Sequence, residues 1–135
     1  RTGKVFISVH DSHKDRIIPI ARTFQEQGFQ IMGTRGTASH LCAHGVAAET
    51  ILKVSEGRPH AVDYIKNGEI QLVINTSVGR KSNIDAYQIR RGALVYNVLY
   101  TTTLAGAKAL SEAIAALQQE EWQVMSLQEY HAQSC

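Results

Sequence analysis

The sequence predicts an α/β three-layer sandwich, in which about five parallel strands form one sheet with helices on both faces. The first observation is length, because 135 residues correspond to about one domain. The second is composition: hydrophobic residues make up 44% of the chain and charged residues 19%, which is typical of a globular protein and excludes a disordered one. The third is that strand-like and helix-like patterns alternate along the chain, which is typical of β-α-β units.

Five runs of β-branched and other apolar residues are predicted as strands. They occupy residues 4–10, 29–34, 46–54, 70–75 and 98–102. The run 70–75, Ile-Gln-Leu-Val-Ile-Asn, has the composition of a strand that is buried on both faces. Residues 124–127 predict a small extra strand near the end of the chain.

Between these strands, apolar residues recur at helical spacing. The predicted helices occupy residues 12–27, 36–44, 60–67 and 84–96, and a long final helix is marked by Leu104, Leu110, Ile114 and Leu117. We expect Asp11 or Ser12 to cap the first helix and Gly28 to end it in the left-handed conformation. Pro19 falls inside this helix and is tolerated there if it lies in the early turns.

Charge and cysteine content narrow the class of protein. The net charge of +2 is too balanced to predict a nucleic-acid groove. Cys42 and Cys135 do not make a disulfide scaffold, which favours a reducing, cytoplasmic setting, and the apolar stretches are too short for a membrane span. Because the chain begins without Met or a signal peptide, we interpret residues 1–135 as a single domain cut from a larger chain.

Small polar residues, glycine and lysine follow the predicted strands at their carboxyl ends, where open parallel sheets bind ligands. Gly36 allows a close backbone approach, and Thr37 begins a helix whose N–H groups and dipole favour an anion. Thr34 and Thr37 add hydroxyl donors, and Lys14 and Lys53 supply charge. This pattern predicts a phosphate or carboxylate site. The alternative is that these residues only cap helices and form turns.

Other motifs are absent or weak. No P-loop, GxGxxG fingerprint or nucleophile elbow is present. The basic cluster Arg80, Lys81, Arg90 and Arg91 is interpreted as a solvated helix face, since no aromatic residues interleave it. His40 and His44 have the spacing of a metal-binding pair, but Cys42 points to another side and no third ligand is evident. No metal site is therefore expected.

Several stretches, in order along essentially all 135 residues, are similar to one family. They are Gly33-Thr34-Arg35-Gly36-Thr37-Ala38, Lys53-Val54-Ser55-Glu56-Gly57-Arg58-Pro59-His60, Ile65-Lys66-Asn67-Gly68-Glu69, Ile74-Asn75-Thr76, Ile89-Arg90-Arg91 and the tail from Ser126 to Gln133. The sequence thus resembles the methylglyoxal synthase-like domain at the C-terminus of the large subunit of bacterial carbamoyl-phosphate synthase.

The resemblance implies a regulatory domain without catalytic residues or a cofactor of its own. In this family the domain binds the inhibitor UMP and the activators IMP and ornithine, which tune carbamoyl phosphate formation for arginine and pyrimidine biosynthesis. The parent ligase uses glutamine, bicarbonate and two ATP, with Mg²⁺ or Mn²⁺. Its partners would be the other domains of the large subunit and the small glutaminase subunit, and a homo-oligomer is compatible with this assignment.

The resemblance also implies a set of nucleotide-binding positions. Carried over residue by residue, they are Ser8, Lys14, Thr34, Thr37, Lys53, Val54, Asn75, Ser77, Asp85 and Ile89. Thr37 and Lys53 would hold the phosphate, with Lys14 or Thr34 nearby. Asn75 and Ser77 would face the base or ribose, and Asp85 would accept from sugar hydroxyls. Ser77 replaces the usual threonine but keeps its hydroxyl.

The ornithine region departs from the family pattern. A Tyr-Asp-Thr run helps to form this site in the family, whereas this chain has Tyr100-Thr101-Thr102. The lost carboxylate was the natural partner of an ammonium group, so the resemblance does not support ornithine activation through this domain.

Two alternatives remain open. Methylglyoxal synthase, an enzyme of the same fold, needs an aspartate base in a Gly-Gly-Asp motif, but Arg58 stands where that aspartate should be. Because an arginine cannot abstract a proton at neutral pH, the sequence argues against this enzyme. The other alternative is a structural or oligomerisation module with a degenerate pocket.

Overall fold

The computed structural model describes residues 3–52, 57–76 and 80–134, and leaves out the side chains of residues 80–86 and 121–134. The strands are β1 (Gly3–Ser8), β2 (Phe29–Gly33), β3 (Ala48–Thr50), β4 (Ile70–Asn75) and β5 (Leu99–Thr101). The helices are α1 (Lys14–Glu26), α2 (Arg35–Ala43), α3 (Ala61–Lys66), α4 (Arg80–Val95) and α5 (Leu104–Ser134). A 3-10 turn, Asp11–His13, precedes α1.

The five strands form one parallel sheet in the order β3-β2-β1-β4-β5. The chain first moves outward from β1 through β2 to β3, and then crosses to β4 on the other side of β1. The direction of winding therefore reverses between β1 and β4, where open sheets leave a crevice at their carboxyl edge. At this edge Ser8 lies opposite Asn75, and Ile7 lies opposite Gly33 at the end of β2.

Alternate residues of the central strands point into two separate hydrophobic cores. One core joins Val5 and Ile7 of β1 to α1, to Leu41 of α2 and to Ala107 of α5. The other joins Phe6 of β1 to α3 and α4. These two cores confirm the predicted three-layer sandwich of five parallel strands with helices on both faces.

The start of α1 differs from the prediction, whereas its end agrees. Gly28 follows α1 with φ +99°, as expected for a residue that ends a helix in the left-handed conformation. The predicted cap by Asp11 or Ser12 is wrong, because α1 begins at Lys14 and its N-cap residue makes no side-chain cap hydrogen bond. The carboxylate of Asp11 pairs with the ammonium of Lys14 instead. The hydroxyl of Ser12 hydrogen-bonds to the ring of His10, the residue just before the 3-10 turn.

The predicted boundaries of three other elements need correction. The third strand is only Ala48–Thr50. After it, the N–H of Ile51 still donates to the carbonyl of Gly33 at 2.9 Å and Leu52 forms an isolated bridge with His60, but neither residue extends the strand, and residues 53 and 54 lie outside the described residues. Helix α4 begins at Arg80 rather than near residue 84, since its polar first turn lacks the apolar spacing that the prediction used. The predicted strand at 124–127 is wrong. These residues continue α5, in which no glycine or proline occurs after Gly106 to stop helix propagation.

Among the described residues, no helix is both long and apolar enough to cross a membrane, although α5 has 31 residues.

Candidate anion-binding site

A lysine lies directly over the first turn of α2 at the carboxyl edge of the sheet. The Nζ atom of Lys14 is 3.2 Å from the point that a Cβ on Gly36 would occupy. The lysine side chain is only 20% exposed and also pairs with Asp11. Gly36 therefore provides the space in which an ammonium group approaches a helix N-terminus, as the sequence predicts for an anion site.

The backbone at the start of α2 presents several N–H groups near this ammonium. The first hydrogen bond inside the helix runs from the N–H of Ala38 to the carbonyl of Thr34, at 2.8 Å. The N–H groups of Arg35, Gly36 and Thr37 precede it, so they have no acceptor within the helix. These N–H groups and the helix dipole favour a negative charge at this point.

Two buried hydroxyls connect the start of α2 to the end of β1. Thr34 and Thr37 are 6% and 1% exposed, and their Oγ1 atoms are 3.3 Å apart. Thr37 Oγ1 also accepts a hydrogen bond from the backbone N–H of Val9, at 3.3 Å. When it accepts both bonds, Thr37 still has its own hydroxyl hydrogen to donate. Both predicted threonines thus lie at the site, and they position the loop after β1 against α2.

Polar groups from β1 and β4 meet at the crevice between these strands. Ser8 and Asn75 end the two strands and are 6% and 5% exposed. Beside them, Thr76 Oγ1 accepts from the backbone N–H of His10 at 3.3 Å and lies 2.9 Å from Nδ1 of His13. Thr76 was not among the predicted nucleotide-binding residues. Its place directly after Asn75, at the end of a central strand, was the signal that could have identified it.

Tyr100 extends this polar edge towards β5. Its hydroxyl hydrogen-bonds to the side chain of Asn75, and the charge of Arg90 lies near enough to act on it. Burial raises the pKa of Tyr100 above its ordinary value of 10.0, and the bond to Asn75 and the charge of Arg90 offset part of this rise. Tyr100, which was predicted for the ornithine region, therefore contacts a residue predicted to bind nucleotide.

Thr101 and Thr103 take part in the turn that begins α5. Thr101 Oγ1 donates to the carbonyl of Thr103 at 3.4 Å. Thr103 Oγ1 in turn accepts from the N–H of Gly106 at 2.9 Å, as an N-cap residue does. Thr102 is exposed beside them. The Tyr100–Thr102 region thus contacts the crevice through Tyr100 and leads into the start of α5.

The remaining predicted site residues differ in position. Ile89 is buried and packs in the core formed with α3 and α4. Lys53, Val54 and Ser77 lie outside the described residues, and Asp85 lies in α4 with its side chain outside them. The described part of the predicted site at the carboxyl edge is thus Ser8, Lys14, Thr34, Thr37 and Asn75, while Ile89 belongs to the hydrophobic core.

Arg58, which stands where methylglyoxal synthase needs an aspartate, is held by an ion pair. Its Nη2 and Nε atoms donate to the two oxygens of Asp63, at 2.5 and 3.3 Å. The Asp63 carboxylate also accepts from the N–H of His60 at the start of α3, at 2.9 Å. The bonds from Arg58 and His60 lower the pKa of Asp63 from 3.8 to about 2, which makes it a weak base. Neither side chain of this pair suits proton abstraction near neutral pH.

The low pKa of Asp63 predicts a specific pH dependence of stability. A carboxylate with a lowered pKa contributes fully above its unfolded value of 3.8, and loses that contribution as the pH falls through about 2. We expect Asp63→Asn to flatten the dependence of unfolding free energy on pH between these values, measured by urea denaturation. Arg58→Gln is expected to raise the pKa of Asp63 in a ¹³C NMR titration, because the hydrogen bond from Arg58 is the largest cause of the lowered pKa. An unchanged pKa in that variant contradicts the assignment.

The histidine pair of α2 has a neighbour that the sequence did not indicate. The carboxylate of Asp15, on α1, lies 3.0 Å from Nε2 of His40, and His44 is close to both. No third ligand was evident from the sequence, because this candidate lies on a different helix and 25 positions before His40 in the chain. Cys42 does point elsewhere, since its Sγ donates to the carbonyl of Ala48 at 3.4 Å.

Comparison with known proteins places these features in a family. Residues 16–102 match the model of the MGS-like domain. The chain is 52% identical over 132 residues to the carbamoyl phosphate synthase large chain of Pasteurella multocida, and 48% identical over 129 residues to that of Xanthomonas campestris pv. campestris. These alignments cover 97% and 96% of this chain but only 12% of each relative.

One further relative and one solved structure are also similar to this chain. The C-terminal section of the large chain from Methanopyrus kandleri is 48% identical over 130 residues, which are 96% of this chain and 24% of that protein. The crystal structure of ForH superposes with a TM-score of 0.53 at 16% identity, over 88% of this chain and 94% of that one. At that identity the second similarity supports the fold alone.

Proposed function

Because the chain belongs to the MGS-like domain family and its curated relatives are carbamoyl phosphate synthase large chains, we propose that it is an allosteric regulatory domain of such an enzyme. It binds nucleoside monophosphates at the carboxyl edge of its sheet, with UMP as inhibitor and IMP as activator. The domain has no catalytic role of its own. The same proposal includes the partners of the domain, which are the remaining domains of the large chain and the small glutaminase subunit. It also includes the ATP that the parent enzyme uses with Mg²⁺ or Mn²⁺.

One observation carries the proposal: the ammonium of Lys14 lies over Gly36 at the start of α2. A phosphate at this position would accept charge-assisted bonds from Lys14 and backbone bonds from the N–H groups of Gly36 and Thr37. The hydroxyl of Thr37 adds a further donor. These groups are all donors, so the position favours an anion over a neutral ligand, and a phosphate would compete with the exposed carboxylate of Asp11 for the ammonium of Lys14.

The crevice beside this position fits the rest of a nucleotide. Ser8 and Asn75 lie at the ends of the neighbouring strands β1 and β4, and Asn75 has an amide that both donates and accepts. The bond from Tyr100 holds the Asn75 side chain in place. We assign the phosphate to the α2 side of the crevice and the base or ribose to the Asn75 side.

Two other functions are less favoured. Arg58 and its ion pair with Asp63 offer no base for methylglyoxal synthase chemistry. Self-association is an alternative because several large apolar side chains near the end of α4 and on β5 are exposed, Leu94 by 79% and Leu99 by 54%. The same surface would be covered by the rest of a large chain. Light scattering of the 135-residue chain with and without UMP separates a nucleotide-independent oligomer from an effector site.

The proposal is tested by calorimetric titration of the 135-residue chain with UMP and with IMP. We expect each nucleotide to bind at one site, and IMP to weaken UMP binding by competition. Absence of heat from both nucleotides at millimolar concentration contradicts the proposal. Regulation is then tested in the complete synthase, where UMP is expected to lower the rate of carbamoyl phosphate formation and Lys14→Gln to reduce that effect.

A substitution at Gly36 is expected to weaken nucleotide binding without lowering stability. A Cβ at this position would lie 3.2 Å from Nζ and 3.6 Å from Cε of Lys14, so the ammonium must move away from the helix start. Alanine also favours a helix over glycine by roughly 0.5–1 kcal/mol. We therefore expect Gly36→Ala to weaken UMP binding in calorimetry while the unfolding free energy stays equal or rises.

Gly92→Ala is the matched control for this prediction. Gly92 lies in α4, and a Cβ there would make ordinary contact with Val62 at 3.5 Å. This variant should gain similar helix stability without loss of UMP affinity. If Gly36→Ala bound UMP as tightly as Gly92→Ala, the space over Gly36 would have no role in binding.

A further inference from the structure

Three side chains of metal-ligand type converge between α1 and α2, away from the crevice. They are Asp15 of α1 and His40 and His44 of α2, and one ligand atom of each lies within 4.8 Å of the others. Asp15 Oδ1 is 3.0 Å from His40 Nε2, and the two imidazole rings have centroids 4.5 Å apart. We propose that these three residues bind one divalent transition-metal ion of the zinc class.

A backbone contact prepares His44 as a ligand. Its Nδ1 atom lies 2.9 Å from the carbonyl oxygen of His40. Because a carbonyl can only accept, Nδ1 carries the proton and the lone pair is on Nε2. Metal-binding histidines commonly have this arrangement, in which one ring nitrogen donates to a carbonyl or carboxylate and the other binds the ion. The bond therefore selects the tautomer that metal binding needs.

The donor set selects the kind of ion. Two imidazole nitrogens and one carboxylate oxygen suit zinc and neighbouring transition metals, whereas Mg²⁺ and Ca²⁺ prefer oxygen ligands alone. At tetrahedral angles, metal–ligand bonds of about 2.0–2.2 Å place donors roughly 3.3–3.6 Å apart, so the 3.0 Å contact between Asp15 and His40 needs to open only slightly to admit an ion. Asp15 and His44 are exposed and can rotate the remaining distance. Their exposure also leaves room for water to complete the coordination.

A simple ion pair accounts for only part of this cluster. Contact between His40 and Asp15 needs no third group, yet His44 stacks beside His40 with a ring angle of 36° and its own oriented proton. The position and the oriented proton of His44 therefore favour a metal site over a simple ion pair. An ion bound there joins α1 to α2, the two helices whose first turns hold Lys14 and Gly36.

The test is a calorimetric titration of the 135-residue chain with Zn²⁺ alone. We expect one Zn²⁺ per chain, and a rise in the melting temperature on binding because the ion binds the folded state. His44→Ala, His40→Ala and Asp15→Asn should each lower the affinity by at least about tenfold. The Asp15 and His44 variants change exposed side chains, so they are expected to keep the fold, which circular dichroism checks.

Two control variants separate this site from other possible ligands. His60→Asn removes a histidine at the start of α3, and Cys42→Ser removes the thiol that follows His40 by two positions. Neither should change the affinity for Zn²⁺. The proposal is overturned if the wild-type chain binds no Zn²⁺ at one equivalent, if His44→Ala binds as tightly as the wild type, or if Cys42→Ser removes binding.

Discussion

Lys14→Gln is expected to weaken the binding of UMP and IMP by about 10–100-fold, while the affinity for uridine stays unchanged. A hydrogen bond to a charged group contributes roughly 1.5–3 kcal/mol, and about 1.4 kcal/mol corresponds to a tenfold change in affinity. Glutamine keeps a donor but removes the charge that lies over the start of α2. Calorimetric titration of the variant with UMP, IMP and uridine measures these affinities.

Lys4→Gln is the matched control for the loss of charge. Lys4 lies at the beginning of β1, at the opposite edge of the sheet, where its ammonium pairs with Glu69 at 3.3 Å. Both lysines pair with an acidic side chain, so the two variants lose similar, weakly stabilising ion pairs. We expect Lys4→Gln to bind UMP like the wild type. Equal losses in the two variants would mean that only net charge, and not the position of Lys14, attracts the nucleotide.

Phe24→Ala is expected to lower the free energy of unfolding by about 3–5 kcal/mol. Phe24 is completely buried in the second half of α1, and its ring packs edge-to-face against Phe29 with centroids 5.9 Å apart. Alanine would leave a cavity between α1 and the sheet and would remove this aromatic contact. Since domains of this kind have a free energy of unfolding of only about 5–15 kcal/mol, the variant would lose much of its stability.

Urea denaturation followed by circular dichroism measures this effect, and Leu117→Ala is its control. Leu117 lies on α5 and is 60% exposed, so its truncation should change stability by less than about 0.5 kcal/mol. A loss below about 1 kcal/mol in Phe24→Ala would contradict the packing of α1 described above. The packing of α1 also matters for nucleotide binding, because the first turn of α1 contains Lys14.

Most of the sheet was predictable because its signal is local. Runs such as Ile70–Asn75 are apolar on both faces, which is the pattern of a strand covered by helices on each side. Element ends were less predictable, since they depend on side-chain competition. Asp11 has the chemistry of a helix cap, but it pairs with Lys14, and the helix begins three residues later. The error at residues 124–127 arose because a short apolar run has the same composition in a strand and in a helix.

The candidate site was predictable to the extent that parallel strands bring their carboxyl ends together. Lys14, Thr34 and Thr37 were placed by that rule, and the structure brings them to one helix start. Contacts between distant segments were not predictable in this way. The bond between Tyr100 and Asn75 depends on the pairing of β4 with β5, and the approach of Asp15 to His40 depends on how α1 packs against α2.

A crystal structure of the 135-residue chain with UMP is the decisive test of the proposed nucleotide site. We expect the phosphate to lie at the start of α2, with its oxygens within hydrogen-bond distance of Lys14 Nζ and of the backbone N–H groups of Gly36 and Thr37. The base or ribose is then expected on the Asn75 side of the crevice. A phosphate bound elsewhere, with the start of α2 occupied only by water, would contradict it.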